Sequence, residues 1–155
     1  MIIALLIIIC IVVALIWFTA KMDSNIEASF TPSGKLTPVD GGIIHWQKQG
    51  NGPALVLIHG LLGNSNNFSK LAKTLASRYT VYTVDRPGSG FSSRYKSTSA
   101  SFEQQSKMIL EWMQKEGIGS ASIAGHSMGG GIALRMAIDA PDKIKSVSLL
   151  CPLTT

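Results

Sequence analysis

The chain has 155 residues, a hydrophobic fraction of 46% and a formal net charge of +5 at neutral pH. The length suits one ordinary domain, and the basic residues are scattered singly, which disfavours nucleic acid as a partner. The two cysteines, Cys10 and Cys151, lie in very different surroundings, so we expect no disulfide framework. We predict neither a cofactor nor a metal site.

The first predicted element is an apolar helix at the N-terminus. Residues 2–20 carry no charged side chain, and a helix of this length spans roughly 28 Å, close to the hydrocarbon thickness of a bilayer. We therefore predict a transmembrane anchor over residues 1–21 and a single-pass membrane protein whose orientation the sequence leaves open. Two alternatives stand beside it. One is a cleaved signal peptide, although a basic n-region and a small-x-small cleavage site are not evident, and the other is a buried helix.

A polar segment and then a folded domain follow the apolar helix. Residues 22–40 contain several breakers, including Pro32, Gly34 and Pro38, and we predict a linker there and a domain over residues 41–155. Within the domain, apolar runs alternate with helical segments, which predicts an α/β fold with a mostly parallel sheet and helices on both faces. The predicted strands are 43–49, 54–59, 79–84, 120–124 and 144–150, and the predicted helices are 66–77, about 100–116 and 128–139.

The strongest chemical motif is the G-x-S-x-G sequence Gly125-His126-Ser127-Met128-Gly129, between a predicted strand and a predicted helix. A nucleophile in such a turn has a strained backbone, and the flanking glycines let neighbouring chain segments approach. The hydroxyl then stands at a helix N-terminus, where backbone N–H groups can stabilise an oxyanion. We predict Ser127 as a nucleophile. The alternative is a glycine-rich turn in which Ser127 only caps the helix.

A second motif, His59-Gly60-Leu61-Leu62-Gly63, follows the apolar strand that ends at Ile58. Loops at this place in serine hydrolases supply one oxyanion donor, and the residue after the serine supplies the other. We therefore predict the backbone N–H groups of Leu61 and Met128 as the oxyanion hole. The imidazole of His59 is expected to hold the shape of the loop rather than to transfer protons.

The third motif is Asp85-Arg86-Pro87-Gly88-Ser89-Gly90-Phe91-Ser92, directly after a predicted strand. Its Asp, Pro, Gly and Ser residues are typical of compact turns, so we interpret it as a structural loop beside the site. A catalytic acid at Asp85 is the alternative, but this residue precedes the nucleophile in the chain.

The ordered segments HGLLGNSNNF, DRPGSGFS and GHSMGG resemble the α/β-hydrolase family, in its serine esterase, lipase-like and carbon–carbon hydrolase branches. The resemblance covers residues 41–155. It implies Ser127 as nucleophile, Leu61 and Met128 as oxyanion donors, and acyl transfer to water. It also implies supporting roles for His59, Gly60, Asp85, Gly125, His126 and Gly129.

The sequence departs from the family pattern after Ser127. The family's triad runs Ser, then Asp or Glu, then His, and no histidine follows Ser127. None of the three histidines, His45, His59 and His126, is well placed to act as the base, and Asp139 and Asp142 belong to a helix end and a turn. We expect the chain to be the N-terminal part of a longer hydrolase whose cap, last strands, acid and histidine are missing, which leaves an exposed sheet edge.

Two functions follow from these observations. The first is a membrane-anchored serine hydrolase that acts on an ester-like bond of a small lipophilic substrate through Ser127. The second is a non-catalytic, membrane-anchored binding module, or an inactive fragment, that keeps the turn around Ser127 as scaffold. The missing histidine motivates the second. The substrate and the oligomeric state are not evident from the sequence.

Overall fold

The computed structural model describes residues 2–29 and 32–153, which fall into two compact units with a boundary at Pro32. The ends of the predicted anchor and domain, Met1 and residues 154–155, and residues 30–31 of the predicted linker lie outside the described part. The first unit is one helix, α1, Ile2–Ser29. Its segment Leu5–Asp23 has a mean hydropathy of 2.6 and no buried residue, so it is long and apolar enough to cross a membrane.

The second unit contains a seven-stranded mixed sheet. Its strands are β1 (Lys35–Val39), β2 (Gly42–Gln49), β3 (Ala54–Ile58), β4 (Thr80–Val84), β5 (Ser93–Arg94), β6 (Ala121–His126) and β7 (Ile144–Leu150). The order is β1-β2-β4-β3-β6-β7, and β5 pairs with β2. The strands from β4 to β7 in this order run parallel, and the β2 pairings are antiparallel. The predicted α/β class is confirmed, with β7 at one edge of the described sheet.

The predicted linker over residues 22–40 is wrong at both of its ends. Helix α1 continues to Ser29, and β1 occupies residues 35–39 as part of the sheet. Pro38 led us to reject a strand here, yet proline is tolerated in β1 because this strand lies at the other sheet edge. Val39 pairs with Gly42, which leaves Asp40-Gly41 as a two-residue hairpin loop. An Asp-Gly pair is a known hairpin signal, and it would have revealed β1.

Helices cover both faces of the sheet. Helices α3 (Phe102–Lys115) and α4 (Met128–Asp139) pack on one face, where the fully buried Trp112, Ile109 and Met136 contact the central strands. Helix α2 (Ser69–Leu75) packs on the other face through Ala72. The central β3 and β6 are thereby covered by helix on at least one side along their length, as buried parallel strands require.

Two further differences from the predicted elements are local. The helix predicted over 66–77 is a 3₁₀ turn, Ser65–Phe68, followed by α2. The long loop predicted after Val84 contains the short strand β5. Two-residue strands leave no periodic pattern in a sequence, so β5 was not predictable from alternation.

Candidate active site

Ser127 stands in the turn between β6 and α4, with φ 52° and ψ −119°. A positive φ is rare for a residue with a side chain and marks stored backbone strain. The turn is held in place by hydrogen bonds on both sides. The Ser127 N–H donates to the Leu150 carbonyl at 3.0 Å, and the Ser127 carbonyl accepts from the N–H groups of Gly130 and Leu153, each at 2.9 Å. The hydroxyl therefore belongs to a backbone whose unusual conformation the neighbouring segments fix.

Glycines around Ser127 allow very close packing of the backbone. A Cβ atom on Gly129 would lie 2.2 Å from the Ile58 carbonyl oxygen, and one on Gly125 would lie 2.3 Å from the Gly129 carbonyl oxygen. Any side chain at either position would push α4 away from the sheet. The glycines thus place the first turn of α4 against the end of β3, where the second motif begins.

The loop that follows β3 lies directly beside Ser127. A Cβ atom on Gly60 would be 3.0 Å from Cβ of Ser127 and 3.0 Å from Nδ1 of His126. Within the described residues, no hydrogen bond uses the N–H of Leu61 or of Met128. The two predicted oxyanion donors, one in the loop beside Ser127 and one at the residue after it, therefore have no competing partner in the described part of the chain.

His59 organises this loop through both ring nitrogens. Its Nε2 accepts from the Arg86 N–H at 3.0 Å, so the ring proton is on Nδ1, which donates to the Gly60 carbonyl at 2.8 Å. The residue is buried, and desolvation lowers the pKa of the imidazole, an effect that the Gly60 carbonyl partly opposes. A neutral imidazole with both nitrogens occupied is suited to hold the loop.

A recess of about 310 Å³ opens at this loop. Leu62 at its rim has a positive φ of 56° and a side chain that is 97% exposed, and His126 is also exposed. The lining residues are His59, Gly60, Leu61, Leu62, Gly63, Asn67, Phe68 and His126. The recess thus combines apolar side chains with the backbone of the predicted oxyanion loop.

Asp85 belongs to the loop framework and does not face Ser127 in any described contact. Its Oδ2 lies 2.8 Å from Nδ1 of His45 and accepts from the Phe91 N–H at 2.9 Å, and its Oδ1 accepts from the Ser65 N–H at 2.5 Å. Both carboxylate oxygens are occupied and the residue is 1% exposed. These contacts agree with the structural interpretation of the third motif. They argue against the alternative of a catalytic acid at Asp85.

Sequence reasoning missed Arg86, which is 3% exposed. Its Nη2 donates to the Gly60 carbonyl at 3.2 Å, and its Nη1 contacts Oε1 of Gln105 at 3.0 Å and Sδ of Met128 at 3.2 Å. Burial lowers the pKa of this guanidinium. Neither periodicity nor spacing in a sequence indicates that an arginine will be buried. The only signal was its place in the third motif, directly after Asp85.

None of the histidines or later carboxylates reaches the nucleophile. Within the described residues, no hydrogen bond joins an imidazole or a carboxylate to the Ser127 hydroxyl. Asp139 ends α4 and binds Ser106 and Arg135, and Asp142 is an exposed residue of the next turn. A 12-residue helix is about 18 Å long, so Asp139 is remote from Ser127 at the helix start.

The family model described as the alpha/beta hydrolase fold matches residues 53–155. The chain belongs to the α/β-hydrolase family. The match spans β3 to β7 and includes the predicted oxyanion loop, the Asp85 loop and the turn at Ser127. The resemblance drawn from the three motifs is confirmed at the level of the family.

Curated relatives of this chain carry names of different activities. The dihydrolipoyllysine-residue acetyltransferase component of the acetoin cleaving system of Cupriavidus necator is 34% identical over 146 residues, 86% of this chain and 39% of its own length. The pimeloyl-[acyl-carrier protein] methyl ester esterase of Nitrosomonas europaea is 32% identical over 107 residues, 69% of this chain and 40% of its own length. The chain thus spans about two fifths of the length of these relatives.

Among solved structures, the chain is similar to one described as a membrane phospholipase A and bacterial virulence factor. The TM-score is 0.74 at 26% identity, and the match covers 96% of this chain and 50% of the other. Coverage this high includes most of α1. Esterase and phospholipase names thus occur among the similar proteins, beside that of an acetyltransferase component.

Proposed function

We propose that this chain is the N-terminal part of a membrane-anchored serine hydrolase that cleaves an ester-like bond in a small lipophilic substrate. The observation that carries the proposal is the strained Ser127, at the start of α4 and next to the loop that holds Leu61. Within the described residues, the backbone N–H groups of Leu61 and Met128 have no hydrogen-bonding partner. A nucleophile next to donors without partners is the arrangement that acyl transfer requires. The esterase and phospholipase names of two similar proteins support the choice of substrate class.

The reaction proceeds by two acyl transfers. Oγ of Ser127 attacks the carbonyl carbon of the ester, and its proton passes to a base. The negative charge that develops on the carbonyl oxygen is stabilised by the N–H groups of Leu61 and Met128, each worth on the order of 10²–10³ in rate. The base returns the proton to the leaving alcohol. Water then attacks the acyl-enzyme and regenerates the Ser127 hydroxyl.

The base in this proposal comes from outside these 155 residues. No histidine follows Ser127 in the sequence, and the described histidines are engaged elsewhere or not bonded to the hydroxyl. Sequencing of the gene past the Thr155 codon tests this part directly. We expect about a hundred further codons that bring an acid and then a histidine. A stop codon directly after Thr155 would contradict it.

Membrane anchoring rests on α1, whose described side chains are all exposed and whose apolar stretch is long enough to span a bilayer. A signal sequence would pass the same test of length and composition. We therefore propose alkaline carbonate extraction of membranes that hold the native protein, together with intact-mass analysis. An anchor keeps α1 and stays in the pellet. A mass that lacks the first twenty residues would instead identify a cleaved signal peptide.

The catalytic proposal is tested with a fluorophosphonate probe on the complete protein that the gene encodes. We expect covalent labelling of the wild type, loss of labelling in Ser127→Ala, and unchanged labelling in Ser148→Ala. Ser148 is a matched control because it is an exposed serine on β7 whose hydroxyl makes no hydrogen bond among the described residues. Labelling that survives Ser127→Ala would overturn the proposal.

A non-catalytic binding module is the second candidate, and the lack of a base bonded to Ser127 favours it. An uncovered groove of about 460 Å³ on the α2 face of the sheet, lined in part by Leu57 and Leu149, offers a surface for such binding. Absence of labelling in a folded wild-type protein would favour this candidate over the hydrolase.

A further inference from the structure

Arg86 is a buried cation without a counter-charge. It is 3% exposed, and in the part of the chain that the structure describes no carboxylate lies within ion-pairing distance of it. Among the same described residues, its Nε has no hydrogen-bonding partner. Burial of a charge in this way is costly and is rarely retained for stability alone. The guanidinium therefore calls for an explanation in terms of the groups that it contacts.

These contacts reach the two residues predicted as oxyanion donors, through the peptide carbonyl that precedes the Leu61 N–H and through the side chain of Met128. Nη2 of Arg86 donates to the carbonyl of Gly60, and Nη1 contacts the side chain of Met128. Gln105 on α3 holds the guanidinium in place by accepting from Nη1 at 3.0 Å. A single side chain thus joins the loop after β3 to the first residue of α4.

The carbonyl of Gly60 accepts three hydrogen bonds. Its donors are Nδ1 of His59 at 2.8 Å, Nη2 of Arg86 at 3.2 Å and the Gly63 N–H at 3.3 Å. This carbonyl belongs to the same peptide group as the Leu61 N–H. Because the peptide is planar and trans, fixing the carbonyl on one side fixes the N–H on the opposite side.

We propose that Arg86 is a positioning residue of the oxyanion hole, which orients and polarises the Gly60–Leu61 peptide and anchors Met128 beside it. This inference rests on the proposed hydrolase function and names a further residue for it. Donation to a carbonyl from a cation draws electron density away from the amide nitrogen, so the Leu61 N–H becomes a stronger donor. The charge is buried where it acts on this peptide with little screening by water.

The hydrogen-bonding part is tested without catalysis, by NMR of the complete, isotope-labelled protein in detergent micelles. Arg86→Met removes the cation at similar length, and the exposed Arg78→Met is the matched control. We expect the carbonyl ¹³C resonance of Gly60 and the amide ¹⁵N resonance of Leu61 to shift in Arg86→Met and to stay in place in Arg78→Met. Unchanged resonances in a folded Arg86→Met protein would overturn the inference.

The catalytic part is tested by the rate of fluorophosphonate labelling. Arg86→Met loses one of the three hydrogen bonds to the Gly60 carbonyl. Its limiting labelling rate should fall on the order of 10-fold, a smaller effect than the loss of a complete oxyanion donor would have. The probe concentration for half-maximal rate should stay unchanged, because Arg86 does not line the recess. If Arg86 had only a structural role, Arg86→Met would change the melting temperature but would not lower the limiting rate at an unchanged half-maximal probe concentration.

Arg86→Lys serves if Arg86→Met does not fold. A lysine keeps the charge but lacks the planar fork that reaches Gly60, Gln105 and Met128 together, so it should label more slowly than wild type. Labelling of either folded variant at the wild-type rate would overturn the inference while the proposed function stands. A wild-type protein that is not labelled at all would overturn the proposed function and the oxyanion role with it.

Discussion

Oδ2 of Asp85 lies 2.8 Å from Nδ1 of His45, and both side chains are 1% exposed. The pair joins the residue after β4 to the middle of β2, and the other oxygen of Asp85 binds the 3₁₀ turn at Ser65. An aspartate that directly follows a strand invites a catalytic interpretation, although this one precedes the nucleophile in the chain. Its contacts instead show a buried clamp that holds together the loops around the candidate active site.

Substitution of this clamp should be costly. Asp85→Asn removes the charge and places an amide donor among the groups that donate to the carboxylate. Disruption of one member of a buried pair costs about 3 kcal/mol or more, so we expect the free energy of unfolding to fall by this amount in urea denaturation. Asp40→Asn is the control, because its ion pair with Lys107 is exposed and contributes about 0–1 kcal/mol. Equal losses in the two variants would contradict the clamp.

The strain at Ser127 predicts a trade-off between stability and reactivity. Ser127→Gly relieves the positive φ and should raise the free energy of unfolding by about 1 kcal/mol, after the higher entropy of unfolded glycine is set against the strain. Ser127→Ala retains a Cβ atom and should unfold like the wild type. Both variants should lose reactivity with a fluorophosphonate. A Ser127→Gly protein less stable than Ser127→Ala would show that the turn is not strained.

Close packing at the start of α4 predicts a large effect of a single methyl group. Gly129→Ala would bring Cβ to 2.2 Å from the carbonyl oxygen of Ile58, which forces α4 away from β3. We expect a loss of about 1–3 kcal/mol in the free energy of unfolding, the usual cost of overpacking. Gly119→Ala is the matched control, since no atom lies within 4 Å of its added Cβ. A similar stability of the two variants would mean that the helix moves freely.

Burial of His59 predicts a dependence of stability on pH. Desolvation and the nearby charge of Arg86 lower the pKa of the folded imidazole below its ordinary value of 6.5, against the opposing effects of the Gly60 carbonyl and Asp85. The unfolded chain therefore binds a proton that the folded protein does not. Stability from this residue is present above pH 6.5 and is lost as the pH falls from there towards the folded pKa.

Thermal melts from pH 8 to pH 5 measure this dependence. The melting temperature of the wild type should fall more steeply towards acid than that of His59→Gln, which has no proton to bind. His126→Gln should follow the wild type, because His126 is an exposed histidine of the same site. Parallel curves for wild type and His59→Gln would refute the assignment of this pH dependence to His59.

The central fold could be predicted well from the sequence, because its strands and helices leave signals that extend over several residues. The apolar run of residues 54–58 is long enough to identify a strand, and glycine with serine at the end of β6 identifies the turn at Ser127. Strand β1 is not predicted, because proline usually breaks a strand and this rule fails at a sheet edge. The triple acceptor at Gly60 was beyond prediction, since it depends on a guanidinium brought in from residue 86 by tertiary packing.

The order of the strands in space has a consequence for synthesis at the ribosome. The middle of the sheet pairs β3 with β6, and about sixty residues separate these two strands in the chain. Such non-local pairing is slow, because the entropy of closing the intervening loop is lost before the contacts form. Leu55, Val56 and Leu57 thus emerge well before their neighbours in β6. During that interval these apolar side chains lack their neighbours in β6, which leaves the segment open to association with other nascent chains.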